Sequence, residues 1–347
     1  MTTSQLIFTE AELLTTSSVA GPLFAGGVRC HGGFVADGSY VSPRTQFRTP
    51  AISAWQENHR EVFGTEILDV SLDTWPAHVP NLAQARFLLA AGVPEPLIAT
   101  LTRIGTVEGF GANIRNFRPS NMQRYFEEDV RGTALDHLAS GLFEAHGRDE
   151  AGWEEEAGHK DMWFAARDVA FETPQLSLDM EGMLTRMGFG AASKLAPARL
   201  LPEEIDPALE TMISVMIRVL FIEISAFHTF QWSESWLSDK QLVAGDGEAA
   251  RLVSYIRADE TPHIQYLATA LTEMRDRTWI TGSGKKFKGT DMLKMMWDPM
   301  LANSIGARHA QSQRAALDEV TFWCAERKNG ADLIAEYTSL SDESASQ

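Results

Sequence analysis

The sequence predicts an all-α fold: a four-helix bundle with an irregular N-terminal extension and extra C-terminal helices. Three observations lead there. From about Asn81 onward, apolar residues recur at spacings of three and four in one stretch after another, the period of a helix with a buried face. Helix punctuation separates the stretches: Gly92 closes LAQARFLLAAG, and Pro202-Glu203-Glu204 opens a later run. Hydrophobic residues make up 44% of 347, enough for a substantial core and too many for wholesale disorder.

Residues 1–85 are rich in Gly, Pro, Ser and Thr. They read as turns and short extended pieces packed on the bundle, with a short helix near AISAWQENHREVF. Cys30-His31 has no CxxC or second Cys/His cluster beside it, so it is not read as a metal site. Residues 86–275 carry the core. In PLIATLTRIGTVEGFGANIRNF, the residues Leu97, Leu101, Ile104, Glu108 and Gly111 share a face. Gly105, Gly109 and Gly111 each cost this helix about 1 kcal/mol against Ala; they either make room beside the acid or let another helix pack close. After RYFEEDVRGTALDHLASGLFEAH comes WEEEAGHKDMWFAARDVAF, with His159, Trp163, Ala166 and Ala170 inward. Beyond a loop from Ser177 to Glu204, MISVMIRVLFIEISAF aligns Met212, Met216, Val219, Glu223, Phe227 and Phe230. The next stripe is Leu252, Ile256, Glu260, His263, Leu267 and Leu271. Residues 276–347 supply the closing helices and a frayed tail, SDESASQ.

Glu223 is the residue that needs explaining. A carboxylate at the centre of an apolar stripe is costly to bury and would normally protonate, so a cation is expected to compensate it. Glu108 repeats the situation. Glu156 with His159, and Glu260 with His263, are Glu-x-x-His pairs, and residues three apart on a helix can offer an oxygen and a nitrogen to one point. In chain order the inward groups are Glu108, Glu156 with His159, Glu223, and Glu260 with His263. Four carboxylates and two imidazoles suit two divalent redox metals, iron or manganese, better than thiophilic ones. Asp259 and Glu155 precede the two motif acids and are placed to accept the second N–H of a ligating histidine on the facing helix. Glu144, Glu127 and Glu128 are nearer to Glu156 in sequence than Glu108 and remain alternatives to it, though less central on an apolar stripe. His228 reads as a packed or supporting histidine, His137 and His146 as solvated or helix-terminal, and His309 with MLKMMWDPM as core or interface.

This order of acids and histidines resembles the ferritin-like di-iron carboxylate proteins, in which two helices give a Glu each and two give Glu-x-x-His. The resemblance covers about residues 93–275 and is specific to the superfamily rather than to one activity. It implies a ferritin-like bundle with Glu108, Glu156, His159, Glu223, Glu260 and His263 as ligands of two irons, or of one manganese and one iron. The sequence departs from the pattern in four places. The separation of Glu108 from Glu156 is long for the family. Pro262 stands inside the second Glu-x-x-His and should kink that helix. Ile256 stands where arylamine N-oxygenases carry a further histidine. Trp163 stands where the ribonucleotide reductase small subunit carries its radical tyrosine. Tyr255 and Tyr266 are read as off the site's face, so two-electron chemistry is expected rather than a stored tyrosyl radical.

The resemblance implies an O2-dependent oxygenase or oxidase that hydroxylates, N-oxygenates or desaturates a small, mostly apolar substrate. Trp163, Phe227 and Gly109 are expected at the substrate pocket, with electrons from an external reductase or ferredoxin. The alternative is a ferroxidase or iron-storage protein, which needs less chain than this. The net charge of −17 argues against nucleic acid and against an anionic membrane surface. Two cysteines and an N-terminus without an early Lys or Arg fit a cytoplasmic protein, and a homodimer is compatible.

Overall fold

A computed structural model describes residues 6–119, 121–172, 176 and 199–341. Most of the loop expected from Ser177 to Glu204, and the tail beyond Ser341, lie outside the described residues.

The N-terminal region is more ordered than its composition suggests. A single helical turn, Glu10–Leu13, is closed by a reciprocal Thr9–Glu12 cap. Strands β1 (Gly21–Ala25) and β2 (Val28–Phe34) then pair antiparallel, and β3 (Tyr40–Val41) pairs with β2. Gly26 and Gly27 both have positive φ, as a two-residue hairpin turn demands. Helix α1 (Thr45–Phe63) follows and stops at Gly64, which is left-handed. It begins well before the expected Ala51. Its buried stripe of Arg48, Ala51, Ile52, Trp55 and His59 is led by a charged residue, which hides the true start from a hydrophobic pattern.

Helix α2 (Leu82–Ala90) opens on an Asn81–Gln84 capping box. Helix α3 (Glu95–Gly111) carries Glu108. Helix α4 (Phe143–Ala151) and helix α5 (His159–Phe171) are separated by a reversal at Gly152–Gly158. The 31-residue α6 (Pro207–Leu237) starts on Pro207, with Asp206 accepting a hydrogen bond from the Ala208 N–H. Helices α7 (Glu248–Asp259) and α8 (Thr261–Arg275) are broken at Glu260, two residues before Pro262, which lacks the N–H needed to continue the ladder. A small hairpin, β4 (Thr278–Ile280) with β5 (Lys286–Lys288), leads to α9 (Gly289–Asn303), α10 (His309–Cys324) and α11 (Gly330–Ser339). The fold is therefore all-α, with two short antiparallel β-elements attached.

Helix α5 packs between α3 and α7, while α6 packs on both α7 and α8, and α8 also rests on α1. Two large apolar clusters result. One joins α1, α8 and α9 to α6 as far as Ile224; the other joins α3, α5 and α7 to α6 from Phe230 onward. Glu223 lies at the seam between them. Although α6 is long and apolar enough by composition to cross a membrane, its buried face is the support on which α7 and α8 pack.

The reversal between α4 and α5 is held by backbone contacts that leave no space. The Ala157 N–H donates to Arg29 O and the His31 N–H donates to Ala157 O, so the loop adds to the edge of β2. A Cβ on Gly158 would stand 2.3 Å from the Gly152 nitrogen and 2.5 Å from Asp149 O. We expect Gly158→Ala to lower stability by about 1–3 kcal/mol, the usual cost of overpacking, in chemical denaturation of the full chain. An unchanged unfolding midpoint would mean that the reversal is not held this tightly.

Candidate metal centre

The groups that converge inside the helical core come from six elements. Helix α4 delivers His146, Asp149 and Glu150. Helix α5 delivers His159 from its first residue, because the reversal returns the chain to the same place. Helix α6 delivers Glu223, and the α7–α8 break delivers Asp259, Glu260 and His263. Helix α3 brings Glu108 alongside. Except for Glu108, which is half-buried, all are buried.

The inner distances are short. His159 Nδ1 lies 3.0 Å from Glu260 Oε1 and 3.4 Å from Glu150 Oε2. His263 Nδ1 lies 2.7 Å from Glu260 Oε2, 3.4 Å from Glu150 Oε1 and 3.8 Å from Glu223 Oε1. His146 Nε2 is 3.6 Å from Glu150 Oε1 and 3.5 Å from Glu223 Oε1, and its ring stacks on His263 at 3.9 Å. Ligand atoms of Glu150, His159, Glu260 and His263 all lie within 4.8 Å of one another, and so do those of His146, Glu150, Glu223 and His263. The two sets share Glu150 and His263.

An outer layer mirrors itself across the centre. Asp149 Oδ2 is 3.0 Å from His263 Nε2, and Asp149 is also paired with Arg44 Nε at 2.7 Å and Arg48 Nη1 at 2.7 Å. Asp259 Oδ2 is 3.6 Å from His159 Nε2 and 3.0 Å from His31 Nε2, and accepts a hydrogen bond from the Tyr40 hydroxyl at 2.9 Å. Each Asp precedes a Glu of the inner layer and faces a histidine from the other half. Such a partner fixes ring orientation and tautomer, leaving Nδ1 of His159 and His263 turned inward.

Electrostatics follow from burial among like charges. Burial, and then the charges of Glu150 and Glu260, raise Glu108 well above the usual carboxylate range. Burial, again with Glu260 and Glu150, does the same to Glu223. Burial also pushes Glu150 and Glu260 upward, but the His159 and His263 imidazoles outweigh it and bring both down to about 2. Burial lowers His159 and His263, yet the facing carboxylates, Glu260 first, win and hold both well above the ordinary histidine value. His146 is pushed down, by burial first and then by His263. Without metal, two carboxylates held low thus face two imidazoles held high, while Glu108 and Glu223 are pushed toward their neutral forms.

The donor set leaves several buried polar atoms unsatisfied. His146 Nε2, both oxygens of Glu150, His159 Nδ1 and Glu260 Oε1 are buried and make no hydrogen bond among the described residues. Buried polar atoms are normally satisfied, so orphans converging on one point are what a metal centre leaves behind when described without its ions. Oxygen and imidazole donors without a thiolate fit iron or manganese; Cys30 and Cys324 are buried free thiols outside these groups.

Several expectations need correction. Glu156 is not at the centre: the helix stops at Ala151, and Glu156 sits in the reversal with its carboxylate 3.1 Å from Arg29. Glu150 occupies the place expected of it. Glu155 is exposed, and Asp149 has the supporting position instead. Trp163 is wholly buried and donates to Glu108 Oε1 at 3.1 Å, so it supports an acid rather than lining a substrate pocket. Gly109 faces Lys160, and Gly105 faces Phe164 and Lys160, so these two let α5 pack close; Gly111 stands against Glu150. Phe227 does line a cavity. Glu144 pairs with Arg118 and Arg148, Glu127 pairs with Lys286, and Glu128 accepts from Thr278, which leaves Glu108 as the acid of α3. His146 and Tyr266, expected on outer faces, are both buried, with the Tyr266 hydroxyl 3.2 Å from His146 Nδ1. His137 is buried against Thr133 O, and His228 donates to Leu72 O.

Two signals could have found the missed residues. Asp149-Glu150 repeats Asp259-Glu260, and His146 lies one turn before Glu150. Compared with family models, curated proteins and solved structures, the chain finds no match in any of the three.

Asp149 keeps its charge, against the upward push of burial, because Arg44 and Arg48 outweigh it. Removing one partner of such a buried cluster leaves charge uncompensated. We expect Arg48→Met to cost about 3–5 kcal/mol in denaturant unfolding. The control Arg60→Met, which removes an exposed partner of Glu66, should stay within about 0.5 kcal/mol of wild type. Equal effects would refute the buried-cluster account.

Proposed function

We propose that the protein is a non-haem di-iron oxygenase or oxidase built on a ferritin-like four-helix core, acting with O2 on a small, mostly apolar organic substrate. The observation that carries this reading is the pair of overlapping four-residue donor sets sharing Glu150 and His263. Two sets that share donors suit two metals side by side better than one. The residues that would hold them are Glu108, Glu150, His159, Glu223, Glu260 and His263, with His146 as a seventh donor. The chemistry supplied by a bound iron pair is reduction of O2 for attack on substrate, with electrons from an external reductase or ferredoxin.

The chain's own part is to hold, orient and enclose. Asp259 and Asp149 keep His159 and His263 turned with Nδ1 inward. Arg44 and Arg48 keep Asp149 anionic. The apolar clusters on both sides exclude water, so charge inside acts at low dielectric. His159, His263, Glu108 and Glu223 are all shifted toward their protonated forms in the metal-free protein, and any proton they hold must leave before they ligate. The raised values of these groups set the sign: metal competes with protons, so affinity rises as pH rises and is lost on acidification.

Anaerobic addition of ferrous iron to the full chain, followed by desalting and elemental analysis, should give about two irons per chain. Affinity should climb through the ordinary histidine range near pH 6.5 and above, and O2 should be consumed on mixing. A single zinc retained in preference to iron, or an affinity independent of pH, would overturn the reading. A large cage on gel filtration would favour iron storage instead.

A further inference from the structure

One cavity reaches the helices of the centre, and its chemistry specifies an occupant. It measures about 200 Å3 and lies between α6, α8 and the segment Leu68–Leu72. From α6 come Leu220, Ile224 and Phe227, and from α8 come Ile264 and Ala268. Leu220 and Phe227 stand one turn either side of Glu223 on its own edge of the helix, and Ile264 follows His263. The segment over the cavity is fastened at several points. The Leu68 N–H donates to Thr272 Oγ1 at 2.8 Å, Arg275 donates to Glu66 O at 2.9 Å, and His228 reaches Leu72 O at 3.2 Å.

The inner wall is apolar, and the mouth is not. An outer recess of about 480 Å3 shares Leu68, Asp69, Ile264 and Ala268 with the cavity and adds Gln56, Arg60, Glu66 and Gln265. Arg60 is engaged by Glu66 at 3.1 Å. Asp69 touches both spaces and has no ion pair or hydrogen bond among the described residues, which leaves it as the uncompensated charge of the mouth. An apolar cavity of about 150 Å3 accepts benzene, so the inner space takes a substituted ring or a short branched chain.

We propose that this cavity is the substrate site, and that it takes an amphiphilic amine: an apolar body the size of a substituted benzene ring seated against Leu220, Ile224 and Phe227, with a protonated amino group at the mouth beside Asp69. The assignment rests on the di-iron reading only in calling the occupant a substrate. It places the apolar end, not the nitrogen, toward the face of Glu223. The carboxylate of Asp69 discriminates against an anionic analogue, and the net charge of −17 draws cations generally.

The test is isothermal titration calorimetry on the full chain, with and without ferrous iron, using 4-phenylbutylamine, 4-phenylbutanol and 4-phenylbutyrate. The amine should bind roughly fivefold more tightly than the alcohol, the upper end for a solvent-exposed ion pair such as the exposed Asp69 would make, and the carboxylate most weakly. Asp69→Asn should bring the amine to the alcohol's affinity without changing the alcohol. Val70→Trp, on the covering segment, should abolish binding of all three while leaving iron uptake and helicity intact. Equal or tighter binding of the carboxylate, or an amine affinity unmoved by Asp69→Asn, would overturn the proposal. Amine binding in a protein that takes up no iron would reject the metal reading and keep the pocket; iron uptake without amine binding would do the reverse.

Discussion

The structure depends on concentrating negative charge where water is excluded. Five carboxylates, those of Asp149, Glu150, Glu223, Asp259 and Glu260, are buried together, with Glu108 beside them. Such a group is sustainable only if protons, guanidinium groups or metal ions balance it. Arg44 and Arg48 balance Asp149. The two histidines, as imidazolium, balance Glu150 and Glu260 when no metal is bound. Burial pushes Asp259 upward, but hydrogen bonding to His159 and His31 outweighs it, while Glu108 and Glu223 are pushed toward their neutral forms. The N-terminal strands and the helix after them take part in this.

That division of labour explains why the N-terminal region matters. His31 and Tyr40 hold Asp259, while Arg44 and Arg48 hold Asp149. The two halves of the outer layer therefore differ in charge. One aspartate is neutralised by two guanidinium groups, and the other is hydrogen-bonded by a phenol and an imidazole. The two histidines thus face aspartates with different partners, which makes the two sides of the centre inequivalent.

Much of the fold and part of the site were legible in the sequence. Glu223 could be found because a lone acid interrupts a long apolar stripe, and Glu260 with His263 because Asp-Glu-x-x-His stands out even across a proline. Glu156 misled because EEEAGHKDMW has helical composition and correct spacing, yet Gly152 and Gly158 bracket a reversal whose closeness depends on tertiary contacts with Arg29 and His31. The true acid, Glu150, lies nine residues before His159, a separation that no helical period connects. His146 was missed for a similar reason: its surroundings, GRDE, look like a solvated helix end. Long-range contacts made by the hairpin were not legible at all, since nothing local marks His31 or Tyr40 as partners of Asp259.

Glu150, rather than the better-spaced Glu156, belongs to both donor sets, and its part in metal binding can be measured. That part is tested most directly by iron titration of Glu150→Ala and Glu156→Ala, each confirmed as folded by circular dichroism. Glu156→Ala should bind iron like wild type, because its carboxylate only meets Arg29 at the surface, and Glu150→Ala should lose at least half of the bound iron because both donor sets use Glu150. Normal iron content in Glu150→Ala, with loss in Glu156→Ala, would contradict this expectation.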